Sequence, residues 1–140
     1  MTGLWVVLAA LVLALGFGGY RRLTDGRART LRRAARLDAE RLGAELGTQA
    51  TFVQFSAAVC APCRSTHRVL TEVVTDRPEV AHIDIDAETR LDLVDAFGIT
   101  RTPTVLVLDG SGAVRHRIVG AARKPEVLDA LGQVVGPMAA

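Results

Sequence analysis

A chain of 140 residues is a single-domain length, with no room for a second independent core. Hydrophobic residues make up 49% and the mean hydropathy is +0.27, which excludes a disordered, charge-dominated tail protein. Aromatic residues make up only 4%, which argues against a nucleic-acid reader built on stacking platforms. The net charge of +2 hides an asymmetry: residues 1–47 carry eight Arg against four acids, and residues 48–140 carry nine basic against eleven acidic residues. The two cysteines lie three positions apart. A loop that small cannot staple a fold, so their interest is chemical.

From Thr2 to Tyr20 there is no charged side chain, and Leu4 to Leu15 is almost continuous Leu, Val, Ala and Trp. Nineteen such residues at about 1.5 Å each roughly match a hydrocarbon core of about 30 Å, so residues 1–20 are predicted to form a transmembrane helix. The competing reading is a cleaved signal peptide, with Ala14-Leu15-Gly16 or Gly16-Phe17-Gly18 as the small-x-small site. The start of the chain carries no Lys or Arg, which counts against it. Arg21, Arg22, Arg27, Arg29, Arg32, Arg33, Arg36 and Arg41 all follow the span. The positive-inside rule then gives a single-pass cell-membrane protein with its C-terminal side in the cytoplasm; the alternative is an extracytoplasmic domain. Residues 21–47 read as an Arg-rich juxtamembrane helix or linker. Leu31, Ala34, Ala35, Leu42 and Leu46 form a ragged stripe that Asp38 interrupts, and Gly47 is the expected stop.

From residue 48 to 140 the pattern is that of an α/β domain. Thr51 to Phe55 is a β-prone run, and Pro62 to Val74 has helical periodicity with Val69, Leu70, Val73 and Val74 apolar. Val80 to Ile85 reads as a buried strand, Glu88 to Phe97 as a helix closed by Gly98, and Thr104 to Leu108 as a second buried strand. Asp109-Gly110-Ser111-Gly112 is a hairpin turn into a return strand over 113–119. Pro125 opens a last helix, Glu126 to Val135, ended by Gly136-Pro137. The order β-α-β-α-β-β-α predicts a mixed central sheet flanked by helices on both faces.

Cys60-Ala61-Pro62-Cys63 falls at a strand-to-helix junction. There the free N–H groups and the helix dipole stabilise a thiolate on the first cysteine, the form that attacks a disulfide. The two-residue spacer lets the second cysteine reach the first within one turn and resolve a mixed disulfide. Two other readings stand beside this one. A zinc or copper site needs two more ligands, for which His67, His82 and His116 are the available histidines. An inert buried pair is the third. His67, four residues after Cys63, reads as an ordinary solvated helix residue.

Four stretches in order resemble the thioredoxin family, over roughly Phe52 to Leu131. Phe55-Ser56-Ala57-Ala58-Val59-Cys60-Ala61-Pro62-Cys63-Arg64 is similar to its F-W-A-x-W-C-G-P-C-K active-site stretch. Ile83-Asp84-Ile85-Asp86 is similar to its central strand, Gly98-Ile99-Thr100-Arg101-Thr102-Pro103-Thr104 to its G-I-x-x-x-P-T segment, and Val119-Gly120-Ala121 to its V-G-A. The resemblance implies a thioredoxin-like fold and a protein-disulfide oxidoreductase whose only redox group is the Cys60–Cys63 pair, with no further cofactor and no metal. It makes Cys60 the nucleophile, Cys63 the resolving thiol and Pro103 a cis-proline facing them. Ala61, Pro62, Thr102, Val119, Gly120 and Ala121 become the substrate groove. The partners implied are disulfide-containing client proteins and an upstream thiol reductase or oxidant. The membrane is engaged through the N-terminal helix, and no nucleic acid is expected.

The departures are specific. The family's two active-site tryptophans fall at Ser56 and Val59, its buried acid at Gln54 and the lysine partner of that acid at His82. Glutamine exchanges no proton, which leaves His82 as the expected proton-transfer residue. The family's first strand has no clear counterpart. A non-catalytic adaptor that uses the groove to bind a partner, and a metal-binding thiol protein, are the alternative functions.

Overall fold

A computed structural model describes the backbone of residues 2–33 and 36–136 and the side chains of residues 2–19 and 36–136. The chain divides into two units, Met1–Ala34 and Ala35–Ala140. The first is one helix, α1 (Thr2–Arg33). Over Thr2–Gly19 its mean hydropathy is 2.0 and none of it is buried, so its Leu, Val, Trp and Phe side chains are exposed. The expected contributions of Leu31, Ala34 and Ala35 to a juxtamembrane stripe lie outside the described side chains, as does Pro137 as a helix stop.

The second unit holds a four-stranded sheet in the order β2-β1-β3-β4. Strand β1 (Ala50–Ser56) is central, pairing parallel with β2 (Val80–Asp86) and antiparallel with β3 (Thr104–Asp109). Strand β4 (Val114–Val119) closes the hairpin with β3, with a register shift between Val107 and Leu108. The helices are α2 (Ala39–Leu42), α3 (Ala61–Thr75), α4 (Leu91–Phe97) and α5 (Lys124–Val135). Alternation along β1 sends Phe52 toward α3 and α5, where Leu70, Val73, Val127, Ala130 and Leu131 meet it. Val53 and Phe55 point the other way, against Leu42, Leu93 and Phe97 of α2 and α4. The mixed sheet with helices on both faces is therefore as expected, and its two central strands are buried on both sides.

Four boundaries differ from the sequence reading. The helix expected within residues 21–47 is not one piece, since residues 36–38 between α1 and α2 are not helical, and the compact unit begins well before residue 48. Leu37 and Leu42 are 1% and 4% exposed and belong to the core of the second unit. Asp38, read as a break in an apolar stripe, is the N-cap of α2: its carboxylate accepts from Arg41 N–H at 2.8 Å. The stop is Gly43, at φ +69°, and not Gly47. Gly47 is instead buried where any Cβ would collide with the Ala50 carbonyl, the Ala81 nitrogen and the Glu79 carbonyl. What stands in the place of a first strand is one isolated bridge between Arg36 and Ala113, where Leu37 N–H donates to the Gly112 carbonyl at 2.9 Å. Helix α4 begins at Leu91 and not at Glu88, because the Asp86 carboxylate takes the Glu88 N–H and turns the chain first.

Candidate active site

Strand β1 ends at Ser56, and the following loop delivers Cys60 to the N-terminus of α3 in an extended conformation that makes it the N-cap. Cys60 Sγ accepts from the Cys63 N–H at 3.2 Å, a place usually taken by a hydroxyl or carboxylate oxygen. The two cysteines are joined by a disulfide, and both are nearly buried. Pro62 fits the first turn, where it forfeits no helical hydrogen bond. Ala61 and Pro62 are exposed beside the sulfurs, and Val59 is 97% exposed just before them.

The expected groove segments are tied to one another by backbone. The Thr102–Pro103 bond is cis, as the resemblance implied, with Pro103 buried and Thr102 half-buried. The Pro103 carbonyl accepts from Gly120 N–H at 2.9 Å, which joins that segment to the loop after β4. Two residues further on, Ala122 N–H donates to the buried Thr66 hydroxyl at 3.1 Å, which fastens the same loop to α3 one turn beyond Cys63. Val119 and Ala121 remain exposed on that loop.

Below the cysteines a polar chain runs through the sheet. Gln54 is fully buried; its amide N–H groups donate to the Cys63 carbonyl and to the Ser56 hydroxyl, both at 2.9 Å. The Ser56 hydroxyl donates to Asp84 Oδ1 at 2.7 Å, and Asp84 Oδ2 pairs with His67 Nδ1 at 3.1 Å. His82 Nε2 lies 3.1 Å from Gln54 Oε1, and its ring is 4.9 Å from that of His67. Because Gln54 Oε1 can only accept, His82 must be the donor there.

Those contacts bear on the expectation for His82. Its Nε2–H is committed to Gln54, and Gln54 stands between it and Cys63. Burial, helped by the neighbouring His67 and opposed by Asp84, pushes its pKa down to about 4. That shift makes His82 less suited to accept a proton at neutral pH, and the contact its Nε2–H makes is with the buried glutamine. What the sequence reading passed over is His67 with Asp84. The signal was present in part, since Cys63 and His67 are four apart on one helix, but their meeting with Asp84 depends on β2 lying beside β1.

A cleft of about 370 Å³ opens beside the disulfide, lined by both cysteines and by Ser56, Arg64, His67 and Asp84 among others. Ser56 occupies a position where the related active-site stretch has a tryptophan, so a hydroxyl lines the cleft where an indole would stand. Among the described residues no group of three His, Cys, Asp or Glu side chains is arranged to hold a metal ion.

A mixed sheet with helices on both faces, a disulfide-forming pair capping the helix after the central strand and a cis-proline bond together define a thioredoxin-like thiol–disulfide oxidoreductase. The chain belongs to the thioredoxin family, whose profile matches residues 37–133. It is 37% identical over 87 residues to thioredoxin from Mycobacterium tuberculosis (strain H37Rv), covering 60% of this chain and 72% of that one. It is 26% identical over 103 residues to an H-type thioredoxin from Oryza sativa subsp. indica, covering 74% and 83%. A bifunctional thioredoxin reductase/thioredoxin from Mycobacterium leprae is 32% identical over 85 residues, 60% of this chain but only 18% of that longer protein. Among solved structures, thioredoxin NaTrxh from Nicotiana alata superposes with a TM-score of 0.56 at 28% identity, over 62% of this chain and 74% of that one. Fasciola hepatica thioredoxin gives 0.56 at 21% identity, over 62% and 82%, a likeness of fold.

Proposed function

We propose that this chain is a membrane-tethered protein-disulfide oxidoreductase in which Cys60 attacks and Cys63 resolves. The observation that carries the reading is the position of Cys60 Sγ as the N-cap of α3, receiving the Cys63 N–H while bonded to Cys63. In the reduced state the same N–H and the dipole of a 15-residue helix stabilise a Cys60 thiolate. That thiolate attacks one sulfur of a client disulfide, forming a Cys60–client bond and releasing the other client sulfur as a thiol. Cys63 then attacks Cys60 Sγ, the second client sulfur leaves as a thiol, and the Cys60–Cys63 disulfide remains. The client has gained two electrons and two protons, which an upstream thiol reductase returns to the pair.

Ala61, Pro62, Thr102, Val119, Gly120 and Ala121 supply the client surface. Half-buried Thr102, beside Pro103, presents backbone to an extended strand, and exposed Val59 and Val119 add apolar contact. The apolar segment Thr2–Gly19 is the tether, and the arginines that follow it favour a cytoplasmic redox domain, where a CxxC pair is kept reduced and acts as a reductant. The reading is tested by insulin reduction with dithiothreitol as the electron source: the wild-type chain accelerates precipitation of the insulin B chain, and Cys60→Ser returns the rate to that of dithiothreitol alone. Equal acceleration by Cys60→Ser sinks the assignment.

A further inference from the structure

We propose that His67, oriented by Asp84, is the proton acceptor for Cys63 in the resolving step, an assignment that rests on the Cys60 and Cys63 roles given above. Resolution requires a thiolate on Cys63, and the sulfur is nearly buried. Gln54, the side chain bonded to the Cys63 carbonyl, can take no proton, and His82 offers its Nε2–H to Gln54. His67 differs from both. It lies four residues after Cys63 on α3 and shares a cleft with it.

Its tautomer is set by its partner. The Asp84 carboxylate is acceptor-only, so at 3.1 Å it holds the proton on His67 Nδ1 and leaves the lone pair on Nε2. Nε2 has no protein partner among the described residues, and the side chain is 50% exposed. Asp84 is itself anchored, since its other oxygen accepts from the Ser56 hydroxyl, which accepts from the Gln54 amide that holds the Cys63 carbonyl. The carboxylate that orients His67 is thus tied to the backbone of the cysteine it serves. The charged and titratable groups facing His67 are Arg64 and Arg68 on α3 and Asp84 and His82 on β2. The two arginines favour a thiolate at the cleft.

In the step, the Cys63 S–H bond breaks and its proton passes to His67 Nε2, directly or through one cleft water. The Cys63 sulfur forms a bond to Cys60 Sγ, the Cys60–client bond breaks, and its electron pair leaves on the client sulfur. That sulfur takes a proton from the imidazolium or from solvent. In the reverse direction the imidazolium returns the proton to Cys63. His67 is the catalytic residue in this scheme, and Asp84 is a positioning residue.

The test follows both half-reactions of the full reduced chain with 5,5′-dithiobis(2-nitrobenzoate) in stopped flow. Attack by Cys60 releases the first thionitrobenzoate, and resolution by Cys63 releases the second. His67→Ala is expected to leave the first phase unchanged and to slow the second by tenfold or more on the order-of-magnitude scale of general-base effects. Added imidazole is expected to restore the second phase. Asp84→Asn should slow it by a smaller factor, with less benefit from imidazole. An unchanged second phase in His67→Ala, or a slow one that imidazole does not restore, overturns the proposal. A wild-type chain without a second phase, or a Cys60→Ser chain that keeps the first, overturns the underlying reading instead.

Discussion

Gln54 and His82 form a pair that replaces ionisable chemistry by hydrogen bonding. Gln54 is fully buried with its two N–H groups and its oxygen all engaged, so it holds the floor of the site without needing a charge. Replacing it with Leu removes the side-chain partner of the Cys63 carbonyl and of the His82 N–H and one of the two partners of the Ser56 hydroxyl. The expected cost is about 1–3 kcal/mol, read as a lower midpoint in urea denaturation. His82 makes the fold acid-sensitive in a defined window. Its pKa is lowered from 6.5 to about 4 in the folded chain, so between those values the unfolded chain binds more protons. Stability is therefore full above about pH 6.5 and falls as the pH drops toward 4, by on the order of 2 kcal/mol once partial solvent access is allowed for. His82→Gln should flatten the stability profile across that window. Asp109 acts elsewhere: hydrogen bonds from Ser111, with help from Arg115 and the Ala113 N–H, hold its carboxyl far below the usual range despite some desolvation. Its contribution is lost only at more acidic pH.

At the scale of elements, the short segment from Leu37 to Gly43 is the part that sequence periodicity concealed. The strands and the helices α3, α4 and α5 were legible because the continuous apolar run Thr104 to Leu108 follows from burial on both sides, and the helical spacing in Val69 to Val74 from burial of one face. The pair Cys60 and Cys63 was legible for a different reason, since its spacing and its place between a strand and a helix carry chemistry on their own. Helix α2 has only four residues, too few to show a period, so its cap Asp38 looked like an interruption. Leu37 is buried by residues far away in the chain, among them Val114 and Leu108, a fact that no local pattern records. The same reason hid His67 with Asp84, which lie 17 residues apart and meet only after the sheet forms. Leu37→Ala should cost about 2–5 kcal/mol and Asp38→Ala about 1 kcal/mol, both measurable by chemical denaturation. A chain beginning at residue 48 should melt well below one beginning at residue 36, because it lacks Leu37 and Leu42.

For the molecule as a whole, the composition separates into an apolar N-terminal segment and a folded redox unit. The 18 residues of Thr2–Gly19 would extend about 27 Å as a helix, near the thickness of a hydrocarbon core, and they hold none of the chain's acids or bases. The second unit has its own core on both faces of the sheet and carries both cysteines. Removing residues 1–20 should therefore move the protein from a carbonate-resistant membrane fraction to the soluble fraction while leaving insulin reduction in vitro unchanged. Continued membrane association would assign the attachment to residues beyond 20, the Arg-rich stretch or the second unit. The scarcity of aromatic residues acquires a local meaning too, since Ser56 and Val59 stand where the related stretch has tryptophans and the cleft beside the disulfide is lined with polar groups.

The central claim is that Cys60 attacks client disulfides and Cys63 releases them, and covalent trapping in cells tests it most directly. The full-length Cys63→Ser chain should accumulate mixed disulfides with other proteins, visible as dithiothreitol-sensitive high-mass bands on non-reducing gels. The Cys60→Ser, Cys63→Ser double variant should accumulate none. An absence of adducts from Cys63→Ser, or equal adducts from Cys60→Ser, would contradict the account.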